Sequence, residues 1–278
     1  MAVPRFRARV RVPKEHGGWF LFLTPLAVGL TVAWQWNRAA LAFVVAGLAV
    51  YLVRPPLELA FKAWRGQRTR VCVRVPALHA WLFIYGALIF LAGGSLVLVD
   101  GRWGLIPLGA IGAGLLGLQL WAAHARLART LWNEVIGTAG LSLAAPAAHY
   151  AATGAWSVTA AALWPQMAII GVGGVLYSRW RLRRRRLAAR LSADEAPPAP
   201  PRVSVLTHYA GGLALVALLA ALGWTPAAVI PLYAILLARV ALGTRPRAPP
   251  DRTVLAIGLG EGITTLLAGA WIAAAYRM

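Results

Sequence analysis

Arg179-Trp180-Arg181-Leu182-Arg183-Arg184-Arg185-Arg186 follows directly on an apolar stretch running from 159 to 178. About twenty apolar residues match the ~30 Å hydrocarbon thickness of a bilayer. Arginines in short connections hold a span's end on the cytoplasmic side and meet anionic lipid there. Read outward from this junction, the chain repeats the pattern. Helices are expected at about 18–36, 39–54, 77–99, 104–123, 133–152, 159–178, 204–222, 226–242 and 253–275. The second continues into Leu57 to Trp64, and the start of the arginine run extends the sixth. The run Ala196-Pro197-Pro198-Ala199-Pro200-Pro201 then ends that extension, within a mobile cytoplasmic loop expected at 179–203.

Connections alternate in kind. Trp36-Asn37-Arg38, Asp100-Gly101-Arg102, Thr153-Gly154-Ala155 and Gly223-Trp224-Thr225-Pro226 are tight and nearly uncharged. Those over 54–74, 124–129, 179–202 and 243–252 are longer and basic. All of the 28 Lys and Arg except Arg38, Arg102 and Arg277 fall on one side in this reading. The fold class is therefore all-α: a polytopic membrane protein of about nine transmembrane helices, N-terminus cytoplasmic and C-terminus outside. Residues 1–17 form a basic cytoplasmic segment and 18–278 a single transmembrane domain. The basic start and apolar 19–33 resemble a secretory signal, but Trp34-Gln35-Trp36 follows in place of a small-residue cleavage pattern. An uncleaved first span is expected, in a bacterial cytoplasmic membrane.

Composition agrees. The chain of 278 residues is 60% hydrophobic and only 13% charged, against about 25% charged in soluble domains. The net charge of +20 is explained by topology and by anionic lipid rather than by nucleic acid, since no soluble domain is expected to fold around one. Cys72 is the one cysteine, which excludes an intramolecular disulfide and a thiolate metal cluster. Gly112, Gly114 and Gly117, and Gly171, Gly173 and Gly174, are expected to allow close helix approach.

The chemistry rests on few groups. Of the eight acids, Asp194 and Glu195 fall in the mobile loop, Asp100 in an outer turn, and Asp251 where it can cap the last helix. Glu15, Glu58, Glu134 and Glu261 remain, each at or just inside a cytoplasmic helix end. Acids inside a membrane are costly unless paired or facing a wet cavity, so each is a functional candidate. Glu58, Glu134 and Glu261 are the candidate catalytic groups. His16, His79, His124 and His208 lie at the same end, and only His149 lies toward the other. A helix-end histidine bonded to backbone is the plain reading of each. Jointly they point to a polar cavity opening to the cytoplasm. No His-x-x-x-His or Glu-x-x-His spacing on one helix supports a metal, and no cofactor is indicated.

Three local motifs supply candidate binding residues. Pro13-Lys14-Glu15-His16-Gly17-Gly18-Trp19 places Lys14, Glu15 and His16 at a membrane entry, as an interfacial cap or as a loop facing the cavity. Arg129-Thr130-Leu131-Trp132-Asn133-Glu134 opens the fifth helix. There Glu134 suits the helix dipole, or Asn133 and Glu134 bind a polar headgroup or organise Arg129. Arg54-Pro55-Pro56-Leu57-Glu58 is followed by Lys62, and Glu58 with Lys62 has i,i+4 spacing for an ion pair. Arg54, Lys62, Arg179 and Arg181 are the cations placed to hold an anion.

The Pro13 to Trp19 entry resembles the start of the YwiC-like family of bacterial membrane proteins. The similarity continues through Asn133-Glu134, Tyr177-Ser178-Arg179 and Ile257-Gly258-Leu259-Gly260-Glu261. A wider resemblance is to the UbiA-type intramembrane prenyltransferases, through the nine-helix plan and the stretch from Arg129 to Ala145. That resemblance implies a cavity open to the cytoplasm and aspartate-rich motifs after helices two and six that hold magnesium on a prenyl diphosphate. The matching positions here carry Arg54-Pro55-Pro56-Leu57-Glu58 and Arg179-Trp180-Arg181. Magnesium demands near-octahedral oxygen ligation, so the metal sites are not transferred; arginines can bind a diphosphate directly. The expectation is a prenyltransferase-like protein binding an isoprenoid or other lipid phosphate. A small-solute transporter using Glu261 and a non-catalytic assembly factor are the alternatives.

Overall fold

The computed structural model describes residues 16–64, 75–125, 127, 130–188, 202–245 and 253–278. Among them are ten α-helices, one 3₁₀ turn and no strand. The helices are α1 His16–Ala33, α2 Arg38–Trp64, α3 Val75–Leu98, α4 Leu105–His124 and α5 Leu131–Ser142. They continue with α6 Ala144–Thr153, α7 Val158–Ala188, α8 Val203–Ala221, α9 Ile230–Gly243 and α10 Val254–Ala275. Six of these, α2, α3, α4, α7, α8 and α10, are long and apolar enough to cross a membrane. The chain is a multi-pass membrane protein. An all-helical plan satisfies every backbone group within its own segment, as a hydrocarbon environment requires.

One expected helix is two. The fifth, read straight from 133 to 152, breaks at Leu143 into α5 and α6. Pro146 is the reason. It has no N–H to give the Ser142 carbonyl, and its ring crowds that carbonyl. The two expected extensions are present: α2 passes through Pro55-Pro56 to Trp64, and α7 carries the arginine run as helix to Ala188. The segment from 179 to 188 is thus helix, not loop, while the proline run lies outside the described residues.

Local chemistry sets the helix ends. Asn37 accepts from the Ala40 amide at 2.9 Å, starting α2, and donates to the Ala152 carbonyl at 2.7 Å. Thr130 caps α5 by accepting from the Asn133 amide. Thr253 caps α10 by accepting from the Ala256 amide at 3.1 Å; Asp251, expected in that role, lies outside the described residues. Gly154 closes α6 with φ +78°, a conformation that favours glycine.

α7 runs through the centre. Its Leu163, Met167 and Ile170 share a core with Tyr209 and Val216 of α8, Tyr233, Leu236 and Val240 of α9, and Ile272 of α10. A second core joins Phe22 and Leu26 of α1, Tyr51 of α2 and Ala148 of α6. α3 packs on α2 through Tyr85 against Val53. Lipid tails are as apolar as leucine, so van der Waals fit rather than water exclusion drives this packing. Small residues therefore decide where backbones meet. A Cβ at Gly29 would run into the Ala145 carbonyl, and one at Gly171 would meet Thr138. Gly112, Gly114 and Gly117 differ from expectation: nothing described lies within 4 Å of a Cβ at any of them. α4 presents them outward, beside exposed Ile106 and Ile111, while Leu115 and Gln119 pack on α5 at Gly140 and Gly137.

The two ends of the bundle are marked by exposed tryptophans, as interfacial belts require. Trp64, Trp121 and Trp132 ring one end; Trp34, Trp36, Trp103, Trp156 and Trp224 ring the other. At the second end Gln166 donates to Thr225 and Tyr276, each at 2.8 Å, and Arg102 donates to the Ala151 carbonyl at 3.0 Å. Those bonds tie neutral turns to helix ends.

Packing here gives a paired expectation. Gly29→Ala lowers stability in lipid nanodiscs by about 1–3 kcal/mol, because backbone must move. Gly112→Ala leaves it unchanged or raises it slightly, because the added methyl meets no protein. Thermal unfolding of both variants checks this; equal losses would contradict the packing.

Candidate functional site

The end ringed by Trp64, Trp121 and Trp132 holds the candidate charged groups. Three of the candidate acids are described there, and each is paired with arginine. On α2, Arg54 Nε donates to Glu58 Oε1 at 3.2 Å. Between α7 and α5, Arg179 Nε donates to Glu134 Oε2 at 2.7 Å. Between α7 and α10, Arg181 Nη1 donates to Glu261 Oε1 at 3.1 Å. The expected partner of Glu58, Lys62, has no described side chain; the partner seen is Arg54, one turn earlier.

Glu261 has a second arginine. Arg239 of α9 donates through Nη2 to Oε1 at 2.5 Å and through Nη1 to Oε2 at 3.2 Å. Its guanidinium thus grips the carboxylate as a fork, the geometry that makes arginine–carboxylate contacts strong. Two guanidinium groups thus meet on this carboxylate. Glu261 is buried, and it lies roughly 12 Å along α10 from its Thr253 cap. Arg181 and Arg239 are partly exposed.

Tyr177 sits against both cations. The Arg239 and Arg181 guanidinium carbons lie 5.0 Å and 5.4 Å from its ring centre, within cation–π range. Glycines make the space. A Cβ at Gly243 would strike the Tyr177 hydroxyl, and a Cβ at Gly173 would strike the Tyr209 ring. Gly174 faces Glu261 Oε2 and Gly260 faces Arg181 Nη1, each 3.7 Å from where a Cβ would stand. Of the glycines of α7 and α10, Gly174 and Gly260 thus border this cluster.

A third arginine of the run reaches yet another helix. Arg184 is buried, donates to the Arg245 carbonyl at 3.2 Å just beyond α9, and lies over the Trp180 ring at 5.4 Å. A cation at a helix C-terminus also meets the negative end of its dipole. Arg179, Arg181 and Arg184 therefore join α7 to α5, α10 and α9.

The candidate acids do not converge on one point among the described residues. Arg179 and Arg181 are two positions apart, roughly 200° around α7, so their glutamates stand on different sides of that helix. The Arg54–Glu58 pair stays within α2. Asn133, in the first turn of α5, stands one residue before Glu134. Lys14, Glu15 and Arg129 lie outside the described residues, and the side chains of His16 and Lys62 are not described. His208 bonds the Ile169 carbonyl at 2.9 Å, the plain role expected of a helix-end histidine. Among the described residues, no three of His, Cys, Asp and Glu group as metal ligands would.

Arg239 is the residue that sequence reasoning passed over. The signal was present: Ile235-Leu236-Leu237-Ala238-Arg239-Val240-Ala241-Leu242 sets one cation inside an apolar run. The rule that flags intramembrane acids applies equally to cations. Counting Arg239 with the basic loops hid it.

The exposure of the two main pairs sets their weights. Glu134→Ala breaks a pair whose side chains are more than a third exposed, and costs at most about 1 kcal/mol. Glu261→Ala removes a buried carboxylate gripped by two arginines, and costs about 3–5 kcal/mol. Unfolding midpoints in nanodiscs measure both; a Glu134 variant at least as damaged as the Glu261 variant would contradict the ordering.

Residues 12–149 match the model of the YwiC-like protein family. The match runs from the basic segment before α1 into α6, and so includes Arg54–Glu58 and Glu134 but not Glu261. No curated protein and no solved structure matches the chain. Residues 12–149, just under half of the chain, are thus similar to the YwiC-like protein family.

Proposed function

We propose that this protein sits in the bacterial cytoplasmic membrane with its arginine-rich end in the cytoplasm, and that it holds the phosphate of an isoprenoid or other lipid there. The observation that carries the reading is the convergence of two guanidinium groups, Arg181 and Arg239, on the carboxylate of Glu261 among apolar helices. Guanidinium groups present flat forks that match phosphate oxygens, and they carry their charge at every physiological pH. An anionic headgroup would meet these forks while its tail stayed among the apolar helices.

In this reading the chain is one transmembrane domain of about nine crossings. The six long helices, α1, the α5–α6 pair and α9 supply them, in a bundle of the UbiA-type prenyltransferase plan. The distribution of basic residues supports the orientation. Arg54 and Arg179, with Lys14, Lys62 and Arg129, add positive potential around the mouth and draw anionic lipid to it. Glu58, Glu134 and Glu261 act as counter-ions that hold arginines in place. The activity is binding and presentation of the lipid, with no bond made or broken.

Purified protein in nanodiscs of zwitterionic lipid, titrated with an isoprenoid monophosphate and an isoprenoid diphosphate, tests this. Binding is expected in the absence of divalent ions and is unchanged by a chelator, because arginines rather than a metal meet the phosphate. Arg181→Ala and Arg239→Ala each weaken it by tenfold or more, as loss of a charge-assisted contact of about 1.5–3 kcal/mol requires. Absence of binding, or binding that depends on magnesium, would contradict the proposal.

A further inference from the structure

We infer that Tyr177 is the positioning residue of this site: its ring lies against the guanidinium groups of Arg181 and Arg239 and sets where they stand before a ligand arrives. This rests on the binding function proposed above and adds what keeps the site in shape.

Three observations carry it. Arg239 comes from α9 and Arg181 from α7, so no single helix backbone fixes one against the other. Tyr177 meets both, with its ring centre 5.0 Å from the Arg239 guanidinium carbon and 5.4 Å from that of Arg181. Secondly, the ring is itself held. It is buried, and it stacks with Trp180 across 6.2 Å, the planes 16° apart. Thirdly, α9 is shaped around it. The Tyr177 hydroxyl stands where a Cβ at Gly243 would go, and the ring carbon that bears it is 3.1 Å from that point. Gly243 ends α9, one turn after Arg239. The helix that delivers Arg239 thus also seats the ring on which Arg239 rests.

An arginine loses much rotamer freedom when it is ordered. A guanidinium already held by packing loses less of it on binding, which strengthens the complex. An aromatic face attracts a cation through its quadrupole rather than through a hydrogen-bond acceptor. It therefore holds a guanidinium without competing for its N–H donors. That suits a site whose donors are to meet phosphate oxygens.

The test compares wild type with Tyr177→Phe, Tyr177→Leu, Gly243→Ala and the double variant Gly243→Ala with Tyr177→Phe, all in zwitterionic nanodiscs. Each is titrated with an isoprenoid monophosphate. Tyr177→Leu, which removes the ring, is expected to weaken binding about tenfold, and Tyr177→Phe, which keeps it, less than about threefold. Gly243→Ala pushes on the hydroxyl and weakens binding too. Adding Tyr177→Phe removes the clashing atom and restores most of the loss. The Arg239–Glu261 coupling, read from double-mutant cycles of unfolding, is expected to fall by about half or more in the Leu background and to persist in the Phe background. Where wild type binds, unchanged binding by Tyr177→Leu overturns the inference. So does an unchanged coupling in that background, or a Gly243→Ala defect that Tyr177→Phe leaves in place. If Tyr177→Leu does not fold, Gly243→Ala and its rescue decide. If wild type does not bind, the function proposed above falls, and the coupling alone decides whether Tyr177 positions the arginines.

Discussion

The end of α7 is the constraint on which the bundle depends. Arg179, Arg181 and Arg184 leave one helix on different sides and meet Glu134 of α5, Glu261 of α10 and the Arg245 carbonyl beyond α9. In a bilayer the apolar faces of helices have no strong preference for one another over lipid. Charged contacts do, because a guanidinium or carboxylate left alone in hydrocarbon is expensive. Three such contacts from one turn and a half of helix select which neighbours α7 keeps. The start of the arginine run thus helps to assemble the bundle.

The three contacts are not equal. Arg179 and Glu134 are partly exposed and contribute little. Arg184 satisfies a helix end. Only the Glu261 cluster combines burial with bidentate geometry. Stability alone is a weak reason to keep such a group, since well-packed apolar residues often do as well or better. Guanidinium forks at the edge of the membrane suit the oxygens of an anionic headgroup. That is the physical basis for proposing the cluster as a phosphate site.

Much of this was legible in the chain, and the rest was hidden for definable reasons. Alternating basic and neutral connections gave the helix order, and long apolar runs gave the spans. Pro146 was visible, yet a break inside a span reads the same as a tolerated kink until neighbouring helices choose. The open glycines of α4 and the packed glycines of α7 look alike in sequence, because only tertiary contact separates them. Glu58, Glu134 and Glu261 stood out as rare intramembrane acids. Their partners did not, since i,i+4 spacing favoured Lys62 for Glu58 and gave no hint of contacts across helices. Arg239 was lost among cations assigned to topology.

The central claim is that Arg239 and Glu261 interact directly, across α9 and α10, in the membrane. A double-mutant cycle of Arg239→Ala and Glu261→Ala, read from unfolding in nanodiscs, measures that interaction with other effects subtracted. A buried, bidentate pair predicts a coupling of about 1.5 kcal/mol or more. Additive losses, with a coupling indistinguishable from zero, would show that the pair does not hold these helices together.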